Sequence, residues 1–107
     1  PHPGAQAEMR RHNIDFSGII STPITRETCA WADLIIGMDS QNIFYLKGIV
    51  PNADEKKIHL CYEVVPGQEK HSIADPWFDH KFDRTYRELA TALPLWLKYI
   101  KSHLLTD

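Results

Sequence analysis

Cysteine is scarce in this chain: 107 residues carry two, Cys29 and Cys61, too few for a disulfide framework and not in Cys-x-x-Cys spacing. Both are expected to be reduced, buried thiols, which points to a cytoplasmic protein. No apolar run approaches the length needed to cross a membrane, and no signal-peptide pattern is present, so no membrane partner is expected. Basic stripes are missing too. Twelve Lys and Arg stand against fourteen Asp and Glu, a formal net charge of -2, so nothing in the charge pattern argues for nucleic acid. There are no internal repeats and no low-complexity segments. The chain also lacks an initiator methionine. It opens on Pro1-His2-Pro3-Gly4 and enters a helical pattern at once, as a chain joined part-way would.

What is present suits one domain, 1–107, with 43% hydrophobic and 24% charged residues and therefore enough apolar surface to bury a core. Pro3 to His12 collects good helix formers behind an N-terminal proline, and Asn13 is a suitable stop. Asp15-Phe16-Ser17-Gly18 reads as a turn and Ile19-Ile20 as a short extended piece. Thr25 is placed to cap a helix through Ala30 or Trp31. Leu34-Ile35-Ile36, closed by Gly37-Met38-Asp39, predicts a strand buried on both faces, as in a parallel sheet.

Ser40 is expected to cap a helix from Gln41 to Leu46 that Lys47-Gly48 ends, and Pro51-Asn52-Ala53-Asp54 to form a loop. Ile58, Leu60 and Tyr62 alternate with His59 and Cys61, predicting a second, more exposed strand that Pro66-Gly67 ends. Phe82, Tyr86, Leu89, Leu93, Trp96, Ile100 and Leu104 recur at spacings of three and four, an apolar stripe on a long helix that Pro94 should kink or split.

This order is an α/β pattern, and in such folds ligands sit at the carboxyl ends of the strands. Asp39 follows the first strand and the Asp75 loop follows the second, so both carboxylates are expected on one rim. For Asp39 and Ser40 helix capping is the better reading. Asp75 stands directly before Pro76, which forces extended geometry on it, and Trp77 and Phe78 follow. Shielded by those rings, Asp75 would hold a proton near neutral pH and act as a general acid; alternatively, Asp-Pro simply starts a turn. His71, Asp75, Asp79 and His80 cluster closely enough to raise a metal site, but Pro76 opposes the helical spacing that site needs, so neither metal nor cofactor is expected. Neither cysteine opens a Cys-x5-Arg phosphate loop: six residues after Cys29 stands Ile35, and six after Cys61 stands Gly67.

Together these segments resemble the low-molecular-weight protein-tyrosine phosphatases over most of the chain. Arg11-His12-Asn13-Ile14-Asp15 with Ser17-Gly18 is similar to that family's turn after its second helix. Ala32-Asp33-Leu34-Ile35-Ile36-Gly37-Met38-Asp39 is similar to its Ala-Asp-Leu-Ile-x-x-Met-Asp segment, and Asp75-Pro76-Trp77-Phe78 to its Asp-Pro-aromatic-aromatic loop. The resemblance implies a small doubly wound fold with a four-stranded parallel sheet, and hydrolysis of phosphotyrosine in proteins through a cysteinyl-phosphate intermediate without a metal.

The aspartate matching Asp75 would protonate the leaving phenolate and then deprotonate the attacking water. The rings matching Trp77 and Phe78 would flank the aromatic substrate; the family often carries tyrosines there, so this chain lacks their phosphorylatable hydroxyls. The family's first strand, phosphate loop, first helix and second strand precede what is Pro3 here. The chain alone is therefore expected to be inactive, an incomplete domain whose open slot a further segment or a partner chain fills. An arsenate reductase would need redox cysteines after the first strand, which Met38-Asp39-Ser40-Gln41 does not supply. The rival expectation is a non-catalytic binding or assembly module that completes its sheet with a partner chain, for instance by swapping elements with a second copy.

Overall fold

The computed structural model describes residues 1–105; residues 106 and 107, the end of the expected domain, lie outside it. The described residues form five α-helices and two strands: α1 (Pro3–Arg11), α2 (Arg26–Trp31), β1 (Ile35–Gly37), α3 (Ser40–Ile49), β2 (Ile58–Leu60), α4 (Pro76–Asp79) and α5 (Phe82–His103). Two 3₁₀ turns, Asn52–Lys57 and Cys61–Val64, flank β2. No helix is long and apolar enough to cross a membrane among the described residues.

Local chemistry sets most of these boundaries. Pro3 supplies the preset φ of a first helical residue, and His2 Nδ1 accepts the Gly4 N–H at 2.9 Å. Asn13 takes φ 56° just beyond α1. Thr25 and Thr28 cap α2 reciprocally, the Thr28 N–H donating to Thr25 Oγ1 at 3.1 Å and the Thr25 N–H to Thr28 Oγ1 at 3.0 Å.

The β1-α3-β2 unit pairs its strands in parallel, Ile35 against Ile58 and Gly37 against Leu60. Ile35 and Ile58 turn to one face, where Cys29 of α2, Leu46 of α3 and Val50 just beyond it cover them. Leu34, Ile36 and Met38 turn to the other, onto Cys61, Tyr62, Val65, Ile73, Ala92 and Trp96. The sheet thus lies between α2/α3 and α5, an α/β architecture with a core on each face, as the apolar run of β1 predicts. Trp96 is fixed in the second core because its indole N–H donates to the Cys61 carbonyl at 2.7 Å.

Several expectations are corrected. Ile19-Ile20 pairs with neither strand, and the sheet has two parallel strands among the described residues, of the four that the family resemblance implies for a whole domain. Asp39, not Ser40, caps α3, and that helix runs through Gly48 because Leu46 and Val50 are buried at its end and hold the last turn in place. The segment after Pro51 coils into a 3₁₀ turn, with Lys57 Nζ bridging Asp54 at 3.0 Å and the Ala30 carbonyl at 3.2 Å. Tyr62 lies in the second 3₁₀ turn, past the end of β2. Pro94 does not split α5, which is continuous from Phe82 to His103. Its fully buried residues are Ala92 and Trp96, with Leu89 and Tyr99 packed beside them, a seam displaced from the stripe that the spacing suggests.

Candidate active site

Asp39 and the Asp75 loop do meet at one rim, beyond the carboxyl end of β1. Backbone hydrogen bonding brings them there: the Ile73 N–H donates to the Met38 carbonyl at 2.9 Å, and the Ser40 N–H donates to Ser72 Oγ at 3.2 Å. A cleft of about 200 Å³ remains between the two segments, lined by Met38, Asp39, Asn42, Ile73, Ala74 and Asp75. Asp39 is occupied in capping, accepting the Asn42 N–H at 2.7 Å, while Asn42 Oδ1 in turn accepts the Met38 N–H at 3.1 Å. This is the capping role that the sequence favours for it.

Asp75 adopts φ -72° and ψ 116°, the extended geometry its proline imposes, and it caps the short helix α4. Its Oδ1 accepts the Trp77 N–H at 2.9 Å, and Oδ2, on an exposed residue that lines the cleft, has no hydrogen-bond partner among the described residues. Asp75 thus starts a turn, the simpler reading of Asp-Pro, and it does so at the rim.

The expected shielding is not found. Trp77 is 63% exposed and Phe78 80% exposed, and Asp75 itself is exposed. Consecutive side chains on a helical turn point about 100° apart, so rings that follow Pro76 splay away from the cap instead of folding over it. Trp77 meets the His2 ring edge-on at 5.0 Å, and His2 in turn stacks on Phe82 at 4.9 Å. The two aromatic side chains therefore form an open lip beside Asp75.

The four residues considered for a metal do not converge. His71 is hydrogen-bonded to Glu88, and Asp79 is paired with Arg84 at 2.5 Å. Among the described residues no three metal-ligating side chains come together. Cys29 and Cys61 are free and buried. Burial, with the nearby charge of Glu88 as a lesser cause, pushes the Cys61 thiol above its ordinary value, the reverse of what a nucleophilic thiolate needs. Arg84 and Glu88 do not stand out in the sequence. The only signal for them there is an i, i+4 pair of opposite charge on a helix, a pattern that ordinarily marks a solvated face.

A family model for low molecular weight phosphotyrosine protein phosphatase matches residues 1–105. The chain belongs to this family. Within it, the chain is 30% identical over 100 residues to the low molecular weight protein-tyrosine-phosphatase PtpA of Staphylococcus haemolyticus and 29% identical to PtpA of Staphylococcus aureus. Both alignments cover 94% of this chain and 62% of the relative, so the chain spans about three-fifths of the length of these phosphatases. Among solved structures, YfkJ from Bacillus subtilis shares the fold with a TM-score of 0.90 at 24% identity, over 97% of this chain and 65% of that one. The family resemblance seen in the sequence and its α/β class are therefore established.

Proposed function

We propose that this chain supplies the acid–base half of a site that hydrolyses phosphotyrosine in proteins, and small aryl phosphates with it. The observation that carries the reading is the pose of Asp75: extended before Pro76, anchored through one oxygen, open through the other, at the strand-end rim beside two exposed rings. In the first step a thiolate attacks phosphorus, the bond from phosphorus to the aryl oxygen breaks, and the Asp75 carboxyl gives its proton to the departing phenolate. In the second, the Asp75 carboxylate takes a proton from water, which attacks phosphorus and releases the thiolate. Trp77 and Phe78 flank the aromatic ring of the substrate. No metal or other cofactor takes part in this scheme.

Neither cysteine of the chain supplies the nucleophile, since neither opens a Cys-x5-Arg loop and both are buried. We assign the nucleophile to a segment outside these 107 residues, which also fills the open side of β1, and we place the reaction in a reducing, cytoplasmic setting.

The test joins this chain to the part of Staphylococcus haemolyticus PtpA that it does not match and measures 4-nitrophenyl phosphate turnover. The chain alone should be inactive and the fusion active, with Asp75→Asn lowering kcat by about 10²-fold to 10⁴-fold. Turnover by the chain alone, or an Asp75→Asn fusion as fast as its parent, would overturn the reading. A second reading, a non-catalytic module that completes its sheet with a partner chain, draws on the apolar surface beside β1. Tight association with the added segment without any turnover would favour it.

A further inference from the structure

The segment that carries Asp75 is tied to α5 at both of its ends, by two neighbouring residues of that helix. On its N-terminal side, His71 Nε2 is hydrogen-bonded to Glu88 Oε2. On its C-terminal side, Asp79 Oδ2 accepts from Arg84 Nη2 at 2.5 Å. Arg84 and Glu88 stand one helical turn apart on α5, with Arg84 Nε 3.6 Å from Glu88 Oε1. The four side chains form a continuous ladder, His71, Glu88, Arg84, Asp79, that closes the 71–79 segment against the helix.

Three further features mark this ladder as more than a surface ion pair. Glu88 is largely buried, and its charge is felt by the buried Cys61 thiol. Arg84 Nε is buried and has no hydrogen-bond partner among the described residues. A buried donor left without a hydrogen bond is uncommon and calls for a reason. Here the reason is geometric: one guanidinium serves two carboxylates on different segments, and its fork cannot satisfy both ideally.

The rungs also end where the backbone is least free. Asp79 Oδ1 accepts the Lys81 N–H at 3.1 Å, and His80 between them takes φ 57°, a left-handed turn that a non-glycine residue holds only when its surroundings fix it. The Asp79 carboxyl lies below its ordinary value, held there by the Lys81 N–H first and by Arg84 next. It therefore stays charged, as the pair with Arg84 requires.

We propose that Arg84 and Glu88 are positioning residues for the acid, a two-ended clamp that sets where Asp75 stands relative to the rim. Among the described residues no hydrogen bond or ion pair joins Asp75 to either. Its place depends on Ile73 upstream, bonded to the Met38 carbonyl, and on α4 downstream, and the clamp holds the residues that flank both. Loosening either rung lets the loop swing about Pro76 and moves the carboxylate relative to a bound leaving group. The existence of the clamp is independent of the reaction; its kinetic consequence rests on the reading of Asp75 as the proton donor.

Two measurements test the proposal, one for each part. In the 107-residue chain, amide hydrogen exchange is followed in the parent and in Arg84→Met, Glu88→Gln and Asp79→Asn, with Arg87→Met as control because Arg87, among the described residues, pairs only with the exposed Asp83 on the same helix. The amides of Ile73, Trp77 and His80 should exchange about tenfold faster in the three clamp variants, and not in the control. The Trp96 indole N–H should keep its protection. Unchanged loop exchange in Arg84→Met and Glu88→Gln would overturn the clamp. Should one of these lose Trp96 protection as well, Asp79→Asn, which cuts only the outer rung, decides the question.

In the active fusion, turnover of phenyl phosphate is compared with that of 4-nitrophenyl phosphate. Protonation matters most for the poorer leaving group, so Arg84→Met should depress phenyl phosphate turnover about tenfold more than 4-nitrophenyl phosphate turnover. A merely structural residue would lower both alike, and equal losses would overturn the positioning role. A parent fusion that hydrolyses neither substrate defeats the proposed function instead, while the exchange data still decide the clamp.

Discussion

Glu8 is the charged side chain that α1 buries, 4% exposed, and its surroundings explain how a carboxylate is tolerated there. Arg11 donates to both of its oxygens, Nε at 3.1 Å and Nη2 at 3.0 Å, and His12 Nε2 lies 3.2 Å away. The His12 ring is in turn stacked nearly parallel on Tyr86 of α5, 3.5 Å between centroids, so Glu8 joins the end of α1 to the long helix. The Arg11 hydrogen bonds hold the Glu8 carboxyl below its ordinary value of 4.5. A carboxyl whose pKa falls on folding favours the folded state when ionised. Its contribution is complete above the unfolded value and is lost as pH drops through the lower folded one. Glu8→Gln should therefore be less stable than the parent near neutral pH, and the gap should close as pH falls below 4.5. Urea denaturation at a series of pH values checks this; a gap that is constant with pH would show that the loss is one of packing rather than charge.

Within α5, Pro94 occupies a position where the helix loses one hydrogen bond, yet the helix continues for nine more residues to His103. The proline side of α5 faces an apolar groove shared with Met9 and Ile14, so nothing forces the chain to break there, and the Trp96 and Ala92 seam on the other side anchors the helix in the core. Proline in a helix interior costs about 3 kcal/mol relative to alanine, part of which is returned by its stiffness in the unfolded chain. Pro94→Ala should accordingly raise stability by about 1–3 kcal/mol with helix content unchanged, as read by chemical denaturation and circular dichroism. A loss of stability would mean that the ring's packing in the groove outweighs the missing hydrogen bond.

The same helix shows how far the sequence alone reaches. Its existence is legible because apolar spacings of three and four, sustained over some twenty residues, fit a helix and not a strand. The choice of buried stripe is not legible, since apolar residues line two of its faces. The Thr25 cap and the extended pose of Asp75 are equally legible, because both follow from local steric and hydrogen-bonding rules. Local rules cannot separate Asp39 from Ser40 as the cap of α3. They also miss the 3₁₀ turn at Asn52, which Lys57 stabilises by reaching back to Ala30. In the site, the acid is visible in the sequence and its clamp is not: His71, Asp79, Arg84 and Glu88 meet only once the loop has folded onto α5.

The molecule as a whole exposes more than its mass requires. At 12.3 kDa its accessible surface is 7711 Å², where the scaling for closed globular proteins gives about 6,100 Å². Its radius of gyration of 14.6 Å likewise exceeds the roughly 13 Å expected for this length. The excess has a location. A hollow of about 370 Å³ beside β1 is lined by Ile24, Leu34, Ile35 and Ile36, with Trp31 at its rim 85% exposed. A second apolar groove, about 670 Å³, runs between α1 and α5 past Leu93, Pro94 and Leu97.

Among the described residues β1 pairs on one edge only, and an unpaired strand edge flanked by apolar surface invites association. The 107-residue chain alone should therefore self-associate with rising concentration in sedimentation velocity. Trp31→Lys with Leu97→Lys, both at exposed positions, should shift it toward monomer without lowering its melting temperature appreciably. The segment that completes the site should reduce association as well, because on the proposed reading it covers the open side of β1. A chain that stays monomeric at every concentration, and whose added segment restores turnover without protecting the β1 amides from exchange, would place that segment elsewhere and leave the open side of the sheet unexplained.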